Sequence, residues 1–553
     1  MGGEALPDVR PSALADPDDA FDPGDVDDSA ANSVFPQSVA SGGPTPAGVV
    51  LWTRLDGERY DPADPVRVVV AENPDFEAVV VDAHLPADRV DPAFDYTVRL
   101  DLDGRLEVDT TYYYRFVHDG VASRTGRCRT LPDPEASVES VRFGVLSCQD
   151  YENGYYGALA HIAEEDVDFL LHLGDFIYES AGGLFAADDG ARYPDRNPTL
   201  PSGTDRATTL ADFRALHRLY RSDRNLQCAL EAHTLVAGWD DHGVSNDRYW
   251  DDARDVPVLP DHPEGDDPEV ATALLHAGIR AWYENVPSRV HYDPDEEHPH
   301  ESFRLYRSLR FGDLLELLVT DNRFYRDGPP PRALSLFGVT LGLGGEGDPD
   351  RSMLGDDQRE WFADRTAAAD TRWLGWASAV LTMPFRVGVG PFAVHPKADS
   401  TWDGFPYERK RVFSDLHDAD PAVVTLSGDL HCSLAGTQRL DGSDGPAVGT
   451  EFMGPPVTSV NFSETFGVDD GLAARLARPL FRRAMPAMNP QMAFFDSHEW
   501  GYAVVEFSRE ACTYTAYAVD KTVDRPNDDR RVLARARRHF GREDGDGTAT
   551  DAR

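Results

Sequence analysis

Four short apolar runs in this 553-residue chain each stop on residues able to hold a metal ion. Residues 141–146 lead into Ser147-Cys148-Gln149, and residues 169–173 lead into Gly174-Asp175-Phe176-Ile177-Tyr178-Glu179. Residues 234–237 are followed by Gly238-Trp239-Asp240-Asp241-His242-Gly243-Val244-Ser245-Asn246-Asp247, and residues 422–426 by Ser427-Gly428-Asp429-Leu430-His431. Apolar runs separated by helical stretches, such as residues 154–165, read as strands of a sheet buried on both faces by helices. Ligands gather beyond the carboxyl ends of such strands. Any one of these ends reads as a turn or a cap, and a lone Cys148 reads as a small buried hydrophobe. The same arrangement at four strand ends predicts one converged site.

The residue types fit a mixed metal centre. A thiolate (Cys148), a phenolate (Tyr178), a carboxylate (Asp175) and an imidazole (His431) suit a hard, oxidising ion such as Fe³⁺. The extra carboxylates Asp241 and Asp429 suit an oxygen-loving ion such as Ca²⁺. Asp175 lies between the two sets and can bridge them. A metal pair activates water and holds a phosphoryl group through an in-line displacement.

Ahead of this region, residues 34–130 form short β runs broken by Pro, Gly and Asp, which predicts an immunoglobulin-like antiparallel sandwich. The expected organisation is a disordered acidic lead over 1–31, that sandwich over 32–133, an α/β catalytic domain over 138–525, and a polar tail over 526–553. The lead has no basic n-region, twin Arg or apolar h-region, so the expected location is either the cytoplasm or export by a signal already processed or not recognisable. No apolar run of about 18 residues exists, which predicts no spanning helix. The five cysteines are widely spaced without a CxxC pair and read as mostly buried thiols. The expected oligomeric state is a monomer.

Charge narrows the partners. With 53 Lys and Arg against 97 Asp and Glu, the net charge is −44, which argues against nucleic acid or anionic membrane as a general partner. Only three of the basic residues are lysines, Lys397, Lys410 and Lys521. Low Lys with a large carboxylate excess resembles proteins that work in concentrated salt. The melting temperature is expected to rise from low to molar KCl as carboxylate repulsion is screened, and a flat or falling curve would rule that adaptation out.

The motifs together resemble the PhoD-type alkaline phosphatases, a branch of the calcineurin-like metallophosphoesterases. The matching segments are Ser147-Cys-Gln149 with Gly154-Tyr-Tyr156, His172-Leu-Gly-Asp-Phe-Ile-Tyr-Glu179, His217-Arg-Leu-Tyr-Arg-Ser-Asp223 and Trp239-Asp-Asp-His-Gly-Val-Ser-Asn246. Asp321-Asn-Arg-Phe-Tyr-Arg326, Leu354-Gly-Asp-Asp-Gln358, Trp402-Asp-Gly-Phe-Pro406, Ser427-Gly-Asp-Leu-His431 and Glu451-Phe-Met-Gly-Pro455 follow. Phe35-Pro-Gln-Ser-Val-Ala-Ser-Gly42 with Val50-Leu-Trp-Thr-Arg54 resembles the start of the family's N-terminal domain. The resemblance implies a four-layer α/β/β/α sandwich after an immunoglobulin-like domain. It implies iron at Cys148, Asp175, Tyr178 and His431, and calcium at Asp175, Asp241 and Asp429. Asn246 stands for a further calcium site or its surroundings. His242 stands beside the phosphate, and Arg323 stands either on substrate phosphate or in a structural ion pair. Gly243 replaces the Glu usual after that histidine, which leaves the group orienting His242 open, with Asp247 or Asp240 as substitutes. His395 reads as a loop residue outside the site.

The implied activity is hydrolysis of small-molecule phosphate esters by a metal-bound hydroxide, without a covalent intermediate. Two alternatives stay open. One is a phosphodiesterase of phospholipase D-like type, and the other is a non-catalytic binding protein on the same scaffold.

Overall fold

The computed structural model describes residues 8–17, 19–329, 333–336, 339–342, 348–388, 394–396, 400–442, 445–469, 471–524, 530–540 and 550–551. Two large mixed sheets pack face to face. In the first, Ser140–Leu146, Phe169–His172 and Thr234–Ala237 run parallel, with Gly501–Ser508 and Ala511–Ala518 added antiparallel. In the second, Leu315–Val319, Trp373–Val380, Ala422–Gly428 and Ala447–Met453 are the parallel strands. Burial on both faces explains why these segments are nearly continuous apolar runs rather than alternating ones.

Side-chain alternation fixes the layers. Phe143 meets Phe311 of the second sheet edge-on at 5.3 Å. Its neighbour Gly144 faces the other way, where a Cβ would come within 2.6 Å of Ile162 Cδ1 on helix Gly157–Ala163. In the second sheet, Leu317, Val424 and Leu426 join the shared core. Leu318, Trp376 and Val423 point outward onto Phe362, Val412 and Phe413 of helices Asp356–Ala368 and Pro406–Asp418. The result is the α/β/β/α sandwich.

The N-terminal β unit is less separate than its sequence suggests. Strands Val79–His84, Arg67–Ala71 and Thr111–His118 form their own sheet. Thr97–Asp101, Gly48–Arg54 and Val39–Thr45 instead extend the first catalytic sheet, joined through Gly42 opposite Leu235. Gly42 permits that junction, because a Cβ there would lie 2.0 Å from the Pro287 carbonyl oxygen and 2.9 Å from that of Leu235.

Two expectations need correction. Within the lead expected to be disordered, Asp8–Val9 pairs parallel with Thr97–Asp101, and Val9 is fully buried. Asp8 accepts from Arg99 Nε at 3.0 Å, and Phe21 packs edge-on against Phe76 at 6.0 Å. The lead's acidic composition hid these anchors; residues 1–7 and 18 lie outside the described residues. Within the expected polar tail, Arg531–His539 is a strand of the first sheet, antiparallel to Ala511–Ala518. Leu533, Ala534 and Ala536 are buried among its arginines. The rest of that tail, apart from Arg530, Phe540 and residues 550–551, lies outside the described residues. Among the described residues no helix is long and apolar enough to cross a membrane.

Candidate metal centre

The parallel register of 140–146, 169–172 and 234–237 carries Cys148, Asp175 and the Asp240-Asp241-His242 run to the same edge. Ala422–Gly428 brings Asp429 and His431 from the second sheet. A Cβ built on Gly428 would lie 3.1 Å from Ser147 Cβ, so the two sheets nearly touch at their ends. Gly174 lets the Asp175 turn close, since a Cβ there would meet Asp240 Cβ at 2.6 Å. Cys148, Asp175, Asp429 and His431 all adopt left-handed backbone, with φ of 57°, 56°, 67° and 49°. Non-glycine residues carry such strain mainly where surrounding structure imposes it at functional sites.

Two donor sets meet at Asp175. Its carboxylate, the Cys148 thiol and the His431 ring offer atoms all within 4.8 Å of one another. The same holds for Asp175, Asp241 and His242, and for Asp240, Asp241 and Asp429. Tyr178 Oη donates to Asp175 Oδ2 at 3.2 Å, lies 3.5 Å from His431 Nε2 and contacts Ser459 Oγ at 2.6 Å. His431 Nδ1 lies 2.5 Å from the Val460 carbonyl, which only accepts, so Nδ1 carries the proton and Nε2 is left as a ligand atom. Asp241 is fixed by its own loop, accepting from the amides of His242 at 3.0 Å and Asp247 at 2.7 Å.

These residues fit a multivalent cation. Asp175 Oδ1 is buried without a hydrogen-bond partner. Burial, opposed by His242 and Arg323 and reinforced by repulsion from Asp241 and Asp429, raises the Asp175 carboxyl to about 7. Burial and the Asp175 charge push the Cys148 thiol and the Tyr178 phenol well above their ordinary values. Burial thus favours the protonated thiol and phenol, and their anionic, ligating forms require added positive charge beside them.

Arg323 is fully buried and donates to both carboxylate oxygens of Asp240 and to Asp429 Oδ1, the last at 2.5 Å. It also lies 3.4 Å from Asp241 Oδ2. The guanidinium is thus engaged by carboxylates of the candidate metal site. The Asn246 backbone amide donates to Glu179 Oε1 at 2.7 Å, and its side chain reaches Asp247 at 3.4 Å. His395 pairs with Asp403 at 3.1 Å and belongs to none of these clusters.

The residue that sequence reasoning passed over is Glu179. Its Oε2 lies 2.8 Å from His242 Nδ1, and a carboxylate only accepts, so Nδ1 is the donor. Burial pulls the His242 pKa down, but Glu179, Asp175 and Asp241 outweigh it and hold it well above the usual histidine range. The ring stacks on Tyr178 at 4.0 Å and meets the Phe185 edge at 4.7 Å. Neither Asp247 nor Asp240 takes this orienting place. Gly243 leaves space, with Trp239 Cε3 the nearest atom at 3.6 Å from a built Cβ. Glu179 closes the strand-end motif that carries Asp175, which was the available signal.

A double-sheet sandwich that gathers thiol, carboxylate and imidazole donors around one shared aspartate defines a metal-dependent hydrolase. Residues 143–516 match the family model described as PhoD-like phosphatase, and residues 21–132 match its N-terminal domain. The chain is 31% identical over 441 residues to alkaline phosphatase D of Bacillus subtilis (strain 168), covering 77% of this chain and 69% of that one. A solved structure titled "Structure of PhoD" superposes with a TM-score of 0.79 at 28% identity, covering 94% of this chain and 92% of the other. This chain belongs to the PhoD-like phosphatase family and is a phosphoric ester hydrolase.

Proposed function

We propose that this site hydrolyses small phosphomonoesters with iron held by Cys148, Asp175, Tyr178 and His431, and calcium held by Asp175, Asp241 and Asp429. The observation that carries the reading is Asp175, which shares one donor cluster with Cys148 and His431 and another with Asp241 and His242, and keeps one buried oxygen without a hydrogen-bond partner. Metals bound there supply charge against phosphoryl oxygens and lower the pKa of water. The chain supplies the rest. Arg323 holds Asp240 and Asp429 in place, and the 241–247 loop fixes Asp241. His242, kept protonated by Glu179, donates its Nε2 proton to the departing ester oxygen. Asn246 supports this by tying its backbone amide to Glu179.

Elemental analysis of protein purified without added metal is expected to find iron and calcium. A thiolate and a phenolate on a ferric ion give a visible charge-transfer band, so Cys148→Ser should bleach or shift it, while Asp429→Ala should deplete mainly calcium. Zinc or magnesium alone would overturn the metal assignment. Rates on paired chromogenic mono- and diesters should favour the monoester; the reverse preference would make the chain a phosphodiesterase.

A further inference from the structure

Helix Gly471–Met488 carries four arginines and no carboxylate, in a chain with 97 Asp and Glu. Its inner side is anchored. Met485 is buried in a cluster with Leu430, Met453, Met492 and Phe495, against which Phe481 and Met488 also pack. Arg478 and Arg482 turn back to Asp496 at 3.1 and 2.6 Å. Its outer side is bare. Leu472, Leu476 and Leu480 are 71%, 66% and 66% exposed, and Phe466 just before the helix is 59% exposed. These are the four most exposed large hydrophobic residues among those described. Spacing of four places the three leucines in one stripe. Arg475 and Arg483, also exposed, form no ion pair with any described residue.

We propose that this face is a docking surface for an anionic lipid bilayer. A helix with leucines on one side, arginines beside them and no acid lies in the interfacial plane, its apolar stripe in the acyl boundary and the guanidinium groups of Arg475 and Arg483 at the phosphates. The rest of the chain repels such a surface, whereas the helix itself carries no acid and, with Arg478 and Arg482 committed to Asp496, presents Arg475 and Arg483 to it. That repulsion decays over about 10 Å at 0.1 M salt and about 3 Å at 1 M, whereas burial of leucine does not depend on screening. A second copy fits this face poorly. Pairing it with itself about a twofold axis sets arginines against arginines with no carboxylate on the helix to meet them. The remaining exposed large hydrophobics lie between 36% and 46% and, apart from the adjacent Val79 and Val80 of strand Val79–His84, sit on separate elements, so they form no matching stripe. The chain leading to this helix starts at the metal centre, where Ser459 contacts Tyr178 and the Val460 carbonyl accepts from His431. A docked helix therefore holds the centre close to the lipid surface.

The test is flotation of the full chain with phosphatidylglycerol vesicles and with phosphatidylcholine vesicles, at about 0.1 M KCl, where the attraction between arginines and headgroup phosphates is not screened away. The expected result is at least tenfold more protein floating with the anionic vesicles. The triple variant Leu472→Ser/Leu476→Ser/Leu480→Ser should lose at least tenfold of that binding, yet keep its melting temperature and its activity on a soluble chromogenic ester. In Leu476→Trp, indole emission should shift to the blue when anionic vesicles are added. Failure of the wild-type chain to float with either vesicle, or flotation unchanged in the triple variant, overturns the proposal. So does a concentration-dependent dimer that the triple variant abolishes, which would assign the face to a second copy of this chain.

Discussion

Asp175→Asn is expected to lower kcat by about 10³-fold or more and to deplete both halves of the metal centre at once. The size follows from the several kcal/mol that bound metal ions supply to phosphoryl transfer, at 1.36 kcal/mol per tenfold. The side chain keeps its volume, and its amide oxygen still accepts from Tyr178 Oη, so the change removes charge rather than shape. Stability separates this from simple misfolding. In metal-free protein Asp175 is raised to about 7 by burial and neighbouring carboxylates, against about 3.8 when unfolded. Between those values the folded state holds a proton that the unfolded state has lost, so metal-free stability should fall as pH rises from about 4 to 7. Asp175→Asn should flatten that fall, and chelated Asp175→Asn should melt no lower than chelated wild type at pH 7. Thermal melts of chelated protein across pH check the slope, and elemental analysis checks the metals. A variant that retains both metals, or is inactive only because it is unfolded, would remove Asp175 from the junction.

The site was legible where its chemistry is local. Cys148, Asp175, Asp429 and His431 each follow an apolar strand within a few residues, and parallel strands deliver such ends to one edge whatever the loops between them do. The two β regimes were legible for the same reason, since short broken runs and long apolar runs reflect one-sided and two-sided burial. Pairings made in three dimensions were not legible. Glu179 reaches His242 across 63 residues, and nothing in either segment specifies the other. The entry of Thr97–Asp101 into the catalytic sheet depends on close backbone approach at Gly42, whose neighbours are Leu235 and Pro287. Arg531–His539 alternates arginine with small apolar residues, a period-two strand signal outweighed by its charge. The acidic lead misled in the same way, because composition averages over the few residues, such as Val9 and Phe21, that dock it.

Glu179→Gln should leave the metals in place and still slow the enzyme, by about 10²-fold on esters with poor leaving groups, the low end of what a positioned general acid contributes. A glutamine keeps the size of the side chain and one acceptor, its amide oxygen, for the Nδ1 proton of His242, while its NH2 group replaces the oxygen that accepts from the Asn246 amide. It removes the negative charge, which is the largest of the influences raising the His242 pKa. The protonated ring should therefore persist to a lower pH than in wild type, and the alkaline limb of kcat for poor leaving groups should move toward acid. Nitrophenyl esters, whose leaving group departs without a proton, should lose far less and show no such movement. His242→Ala should produce the same selectivity between leaving groups, and combining it with Glu179→Gln should add little, because the glutamate acts through the histidine. Equal losses on both substrate types with an unmoved pH profile would reduce Glu179 to a packing residue, and would leave His242 with electrostatic stabilisation of the phosphoryl group as its only role.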